Sequence, residues 1–340
     1  MNIGHERSER LRELIARPRG VCTLGARDAW AATLLQIKGY SSIYLGGYGA
    51  ATARGQRDQK IYPSDYMISL ARVVARAVDV PVMVDMDEGG AGVHDTRENF
   101  ELALETTRAA GVHWEDQILP KRCGQLMGKA VFDFEMAVPR MRCAIDAVRE
   151  VRKEAVFMAR TDAFVAAGHH HDEKAGGDID EVVKRGLAYA DAGADIVWCE
   201  FPRTDLRHAF ETFAEEMHKT GRHPQLPLGF NISPSNLWGA TSVTRDELNQ
   251  WGYRYLFCTY GLLLAEAFSG GAWSFADDFR SNPTFALAGL QERLRHVSGL
   301  EKYEPNNIVN KLLGITEATA LELRYDPSAE ARFATSEGHR

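Results

Sequence analysis

Short apolar runs recur eight times along this chain, at 21–25, 42–47, 81–87, 111–117, 155–162, 194–200, 226–233 and 253–259. Stretches of helical periodicity lie between them, at 29–38, 64–77, 96–110, 137–153, 180–192 and 206–219. Runs such as PVMVDMD, AVFMARTD and ADIVWCE are near-continuously apolar. That is how strands covered on both faces read. Eight strand–helix units close most simply as a (β/α)8 TIM barrel, an α/β fold; a doubly wound open sheet is the alternative. We expect the barrel over 1–275 and a C-terminal helical extension over 276–340. No short-period repeat or Pro/Ser-rich linker suggests a different division.

A chain of 340 residues, 45% hydrophobic and 26% charged, can bury a core of that size. Its net charge of -7 and pI near 5.9 argue against nucleic acid as the main partner. No apolar stretch reaches the roughly 18 residues of a membrane span, and the first twenty residues are charged and helix-like, unlike a secretory signal. Cys22, Cys123, Cys143, Cys199 and Cys258 are scattered without CxxC spacing, which suits reduced thiols. A cytoplasmic protein without membrane or nucleic-acid partners is expected, with Cys22, Cys143, Cys199 and Cys258 buried among apolar residues.

Polar residues gather at the strand ends. Asp85 and Asp87 end the third run, His113, Glu115 and Asp116 the fourth, and Arg160 and Asp162 the fifth. Trp198 and Glu200 end the sixth, Asn231 and Ser233 the seventh, and Thr259 the eighth. In a TIM barrel these ends form the active-site face. Carboxylates crowded there repel one another, and a shift of one pKa unit represents about 1.4 kcal/mol. A divalent cation relieves that repulsion, as does pairing with Arg160. Asp85 and Asp87, two apart on a strand, point to one face. With Glu115 they form an oxygen set suited to Mg²⁺, Mn²⁺ being a second possibility. Their other reading is helix capping or pairing with lysines.

The segment WEDQILPKRCGQLMGK sets Cys123 beside Lys121 and Arg122 and before Gly124. A thiol flanked by cations is expected to titrate below an isolated one, on a loop able to fold over an anion; an ordinary solvated basic loop is the alternative. YLGGYG offers exposed backbone N–H groups to a carboxylate. FNISPSNLW offers Asn231, Ser233 and Ser235 as uncharged donors, or as turn residues. His169–His171 lack a fourth ligand at zinc spacing and read as a surface loop.

GVHWEDQ, KRCGQLMGK, ARTDA, ADIVWCE, FNISPSNLW and FCTYG, with VDMDEG and YLGGYG, stand in an order that resembles the isocitrate lyase/phosphoenolpyruvate mutase superfamily. Within it the chain most resembles isocitrate lyase, then methylisocitrate lyase, over about residues 20–265. The resemblance implies that Asp87 anchors Mg²⁺, with Asp85, Asp58, Glu115 and His113 around it. It also implies that Gly47 and Tyr48 present N–H groups to a glyoxylate-type carboxylate, which pairs with Arg160. Tyr44 sits beside the reacting centre. Asn231, Ser233, Ser235 and Thr259 hold a succinate-type carboxylate, and Gly124, Gln125, Trp198 and Glu200 complete the substrate set. Cys123, with Lys121 and Arg122, is the catalytic thiol, delivering a proton to carbon; the base is Tyr44 or a metal-bound water. Such a lyase cleaves a 2-hydroxy di- or tricarboxylic acid and forms a dimer or tetramer, exchanging C-terminal helices.

Two positions depart from that pattern. Gln125 stands where these lyases have histidine, and cannot exchange a proton near neutral pH. Glu88 adds a carboxylate after Asp87, where a small or apolar residue is usual. Isocitrate cleavage to glyoxylate and succinate is the leading expectation. The alternatives are a lyase for methylisocitrate or another alkylmalate or alkylcitrate, an oxaloacetate hydrolase, and a non-catalytic carboxylate-binding barrel.

Overall fold

The computed structural model describes residues 3–327 apart from 60–61, 120, 127, 167–176, 204, 237, 239–242, 270, 282, 301, 304–310 and 314. His169–His171 lie outside the described residues.

Eight strands, all parallel, form one sheet in the order β1-β8-β7-β6-β5-β4-β3-β2. They are β1 Val21–Leu24, β2 Ile43–Leu45, β3 Val82–Asp85, β4 Gly111–Glu115, β5 Val156–Thr161, β6 Ile196–Cys199, β7 Leu228–Asn231 and β8 Tyr253–Cys258. A bridge between Gly25 and Tyr44 and a 2.9 Å bond from Ala26 N–H to the Tyr44 carbonyl draw β1 to β2. The expected (β/α)8 barrel is thus the fold, nearly closed.

Each strand stops short of the apolar run that predicted it, and of the residues left beyond the ladder Glu200, Ser233 and Thr259 line the mouth. The helices α2 Ala29–Ile37, α4 Ser64–Ala77, α5 Val93–Thr106, α6 Phe134–Val151, α7 Ile179–Asp191 and α8 Arg207–Lys219 surround the sheet. After β2 the glycines of YLGGYG lead into α3, Gly47–Ala53. After β7 comes α9, Arg245–Gln250, started by a capping box in which Thr244 and Glu247 satisfy each other's backbone N–H groups.

The core has two layers. Ile43, Val84, Val112, Phe157 and Val197 pack outward against helices that present Ala71, Phe100, Met141 and Phe213. Inside the barrel, Tyr44, Met83, Met158, Trp198, Tyr255 and Phe257 form a second cluster with Leu11, Leu14 and Ile15 of α1 (Ile3–Ala16). α1 therefore closes the end where the strands begin, leaving the end where they finish for chemistry.

By contact density the chain divides into Met1–Leu264 and Ala265–Arg340. In the second unit, Ala272–Ser281, Pro283–Arg295 and Ile315–Tyr325 are helical. Among the described residues no helix is long and apolar enough to cross a membrane. All five cysteines are free, but only Cys199 is fully buried; Cys22, Cys143 and Cys258 are half-buried, against expectation, because they lie on the flanks of the core.

Candidate active site

Strand register assembles the mouth. Asp85 lies opposite His113, Glu115 opposite Arg160, and Arg160 opposite Trp198. Residues level on neighbouring parallel strands bring their side chains together at one height. Tyr44, Gly47, Tyr48, Asp58, Asp85, Lys121, Cys123, Gly124, Gln125, Arg160, Trp198, Glu200, Asn231, Ser233, Thr259 and Tyr260 line a cavity of about 30 Å³. That is room for a water and not for a tricarboxylic acid, so substrate entry requires side chains or the thiol loop to shift.

Asp58, Asp87 and Glu115 converge on Lys121. Its ammonium lies 2.7 Å from Asp87 Oδ1, 3.2 Å from Asp58 Oδ1 and 3.7 Å from Glu115 Oε1. Burial lowers the lysine pKa, but Asp58, Asp87, Glu115 and Asp85 outweigh it and hold it well above the ordinary value. Burial in turn raises Asp58 and Glu115, against the pull of Lys121 on Asp58 and of Arg160 on Glu115. Asp85 and Asp87 both turn a carboxylate oxygen towards Gly47, each 3.1 Å from where a Cβ there would lie, but not as neighbours on one strand face. β3 ends at Asp85, and Asp87 turns into the left-handed region at φ 51°, an uncommon conformation outside glycine that clusters at functional sites. The turn is held by Asp87 N–H to Asp85 Oδ1 at 2.9 Å and Glu115 N–H to the Asp87 carbonyl at 2.9 Å.

These carboxylates are the hard oxygen donors that Mg²⁺ or Mn²⁺ takes. Among the described residues none is yet drawn together as a ligand group. The shared counter-charge at Lys121 marks where negative potential peaks. The donor set thus fits a divalent cation in chemistry, with Lys121 supplying the positive charge here. Gly47 N–H, expected to face a substrate carboxylate, donates to Asp85 Oδ2 at 2.8 Å.

Behind the cavity, Tyr44 Oη and His113 Nε2 are 2.9 Å apart. Burial raises the phenol well above its usual pKa and lowers that of the imidazole, so both are neutral at pH 7. Arg160 bridges Glu115 Oε2 at 2.6 Å and Asp162 Oδ2 at 2.8 Å while lying over the Trp198 ring. Glu200 accepts from Gln125 Nε2 and, at 3.2 Å, from Asn231 Nδ2. Burial pushes its pKa up against Arg160.

Cys123 behaves opposite to expectation. Burial, followed by the charge of Asp58, pushes its thiol up to about 12. Lys121 lowers it less, because that ammonium is committed to carboxylates. Arg122 is exposed and does not line the cavity; its backbone is fixed by Gln117 at 3.0 and 2.9 Å.

Residues 11–268 match the phosphoenolpyruvate phosphomutase family. The chain belongs to the phosphoenolpyruvate mutase/isocitrate lyase superfamily. It is 33% identical to an isocitrate lyase of Haloferax volcanii, covering 99% of this chain and 92% of that one. It is 34% identical to a 2-methylisocitrate lyase of Bacillus subtilis, over 77% of this chain and 78% of the other. The crystal structure of a 2,3-dimethylmalate lyase shares the fold, with a TM-score of 0.72 at 24% identity over 98% of this chain and 99% of that chain. These similarities place the chain among the carbon–carbon lyases of the superfamily.

Against this superfamily site, His113, Glu115 and Asp87 stand behind the cavity wall. Ser235 lies outside its lining and reaches it through Tyr260, to whose hydroxyl its Oγ is bonded, and through Ser233, whose Oγ accepts from its N–H at 3.2 Å. Glu88 is buried, and its charge acts on Arg140. Three residues escaped the sequence reading. Tyr62 donates to Asp87 Oδ2 at 3.4 Å, and nothing local signals it. Tyr260 stacks on Tyr48 with centroids 3.8 Å apart, and its position just after Thr259 was the available clue. Lys129, the last residue of KRCGQLMGK, is buried against Asp162 and the Gly124 carbonyl.

Proposed function

We propose that this protein is a divalent-metal-dependent isocitrate lyase, cleaving the substrate to glyoxylate and succinate. The observation that carries the reading is the meeting, around one cavity, of a carboxylate cluster, the half-buried thiol of Cys123, Arg160 and the neutral donors Asn231, Ser233 and Thr259. The near full-length similarity to an isocitrate lyase supports it.

Asp87, Asp85, Asp58 and Glu115 would hold Mg²⁺ or Mn²⁺, which when bound stabilises negative charge developing on the substrate hydroxyl oxygen. Arg160 binds the carboxylate of the glyoxylate half, and Asn231, Ser233 and Thr259 hold that of the succinate half without adding charge. The hydroxyl proton passes to water as the hydroxyl becomes a carbonyl, and the carbon–carbon bond pair passes to the succinate half. Cys123 then gives its proton to that carbon. A thiol held near 12 keeps the proton until so basic an acceptor appears, which suits an acid rather than a thiolate nucleophile. Tyr44, neutral and bonded to His113, serves as a hydrogen-bond donor beside the reacting centre.

The wall beneath the cavity is filled by aromatic rings. Trp198 meets Phe257 at 4.8 Å between centroids, and Phe257 meets Tyr44 at 4.5 Å. This packing favours a substrate without an extra alkyl group. Gln125 favours the second reading, a lyase for another alkylated malate or citrate. Exposed Phe285, Leu321 and Tyr325 support self-association through the tail. The deciding assay is glyoxylate release from isocitrate, trapped as its hydrazone, with and without Mg²⁺. Rapid metal-dependent release is expected; no release from folded, metal-binding protein would move the substrate to another 2-hydroxy acid.

A further inference from the structure

Lys129 is a buried lysine for which the proposed chemistry has no use. Its side chain is 1% exposed. Its ammonium donates to the Gly124 carbonyl at 2.6 Å and to Asp162 Oδ1 at 2.8 Å. A buried ammonium persists only where its charge is balanced and its donors are used. Asp162, just beyond β5, balances it and is itself held by Arg160. The second acceptor is the more informative one, because Gly124 directly follows Cys123. A Cβ at Gly124 would collide with Arg160 Nη2 and crowd Glu200 Cγ at 2.7 Å. The loop backbone therefore lies directly on the side chains that line the cavity. On the other side of the thiol, Cys123 N–H bonds the Asp58 carbonyl at 3.1 Å and Lys121 reaches the carboxylate cluster. That tether involves the residues that would hold a metal ion, whereas the Lys129 tether does not.

We propose that Lys129 is a positioning residue that latches the thiol loop to the barrel, clamping the Gly124 carbonyl against Asp162 and so fixing Cys123 above Arg160 and Glu200. Its effect on turnover rests on the reading of Cys123 as the acid; its effect on the loop does not. Without the ammonium, the Gly124 carbonyl loses a charged donor and the docked loop becomes less populated, by about tenfold or more. Arginine at this position can still reach both acceptors, but its planar fork cannot reproduce the compact geometry.

The test uses the full chain with K129M and K129R, checked by circular dichroism and alkylated with iodoacetamide at pH 8, with each cysteine followed by peptide mass spectrometry. In K129M, Cys123 is expected to react about tenfold faster while buried Cys199 keeps its wild-type rate. K129R should fall between, and it carries the test if K129M does not fold. In the lyase assay, kcat should drop with little change in KM, with partial recovery in K129R. Unchanged Cys123 labelling would overturn the latch. So would a parallel rise at Cys199, which would make Lys129 a stabilising residue only. If C123S retained full turnover the reading of the thiol would fail, yet the labelling rates would still decide the latch.

Discussion

The two ends of this barrel use the same charged residue types to opposite ends. Where the strands begin, Asp195 receives Arg12 at 2.7 and 2.9 Å, Arg149 at 2.7 Å and the Phe157 N–H at 2.7 Å. The guanidiniums give further donors to the carbonyls of Glu154, Ala155 and Gly193. One carboxylate faces two cations, all partly in water. Where the strands finish, Asp58, Asp85, Asp87, Glu115, Asp162 and Glu200 share Lys121, Lys129 and Arg160, all buried. The first arrangement fastens helices α1 and α6 to the sheet. The second concentrates uncompensated negative charge, stable only with an added cation or with carboxyls driven towards protonation. A carboxylate with cations to spare at one end holds the fold, and an excess of carboxylates at the other suits the reaction.

The sharpest way to break that contrast is C123S. If the mouth is devoted to chemistry, turnover should fall by about 10³-fold, within the range for losing a general acid. The urea midpoint should stay at the wild-type value. A loss of stability in step with activity would show that the mouth also holds the fold.

Asp162 should be the exception at the mouth, since its partners Arg160 and Lys129 are both buried. D162N is expected to cost about 3–4 kcal/mol in chemical denaturation at pH 7, as for a broken buried pair. Burial raises its pKa, but Arg160 and Lys129 prevail and hold it well below the ordinary value. A depressed carboxyl stabilises the fold fully above its unfolded pKa of about 3.9, and the contribution is lost as pH falls through the folded value. The gap between wild type and D162N should therefore hold steady from pH 7 to about pH 5 and narrow as pH falls through about 4 and below. A constant gap would assign the loss to packing.

D195A examines the other end. The partner side chains are 35% and 24% exposed, so water can solvate the guanidiniums left behind. We expect a loss of about 2 kcal/mol, below that of a fully buried pair, with kcat per folded molecule unchanged. A lowered kcat would mean that the beginning of the barrel reaches the site mechanically.

What the chain revealed in advance divides along the same line. The eight strands were legible because continuous apolar runs are a local property, and the mouth carboxylates because strand ends in this fold have a known place. Asp87 does turn to the side of Asp85, but by a route that strand alternation does not foresee, a backbone turn to φ 51°. The Cys123 thiol was read as acidified by its neighbours in sequence. Its burial, and the commitment of Lys121 to Asp58 and Asp87, are tertiary facts. Lys129 escaped notice for the same reason: the acceptor that buries it, Asp162, lies 33 residues away.

The smallest expected effect concerns the one neutral group bonded to the crowded carboxylates where an ionisable one is usual. Gln125 donates to Glu200 and, at 3.3 Å, to the Phe201 carbonyl. An amide satisfies an oxygen but brings no charge, and burial leaves Glu200 with a raised pKa. Histidine at this position could bond Glu200 as a cation, a stronger charge-assisted contact, and could return a proton to Cys123 after turnover. Q125H should therefore raise isocitrate cleavage by about tenfold, at the lower end for acid–base assistance. It should also introduce an inflection in kcat near pH 6.5. Both changes would mean that the mouth of this chain is a weakened form of a balanced one. If neither appears, Glu200 does its work as a neutral or singly bonded acceptor. The choice of substrate would then be sought in the aromatic wall of Trp198 and Phe257 rather than in the charge of the loop.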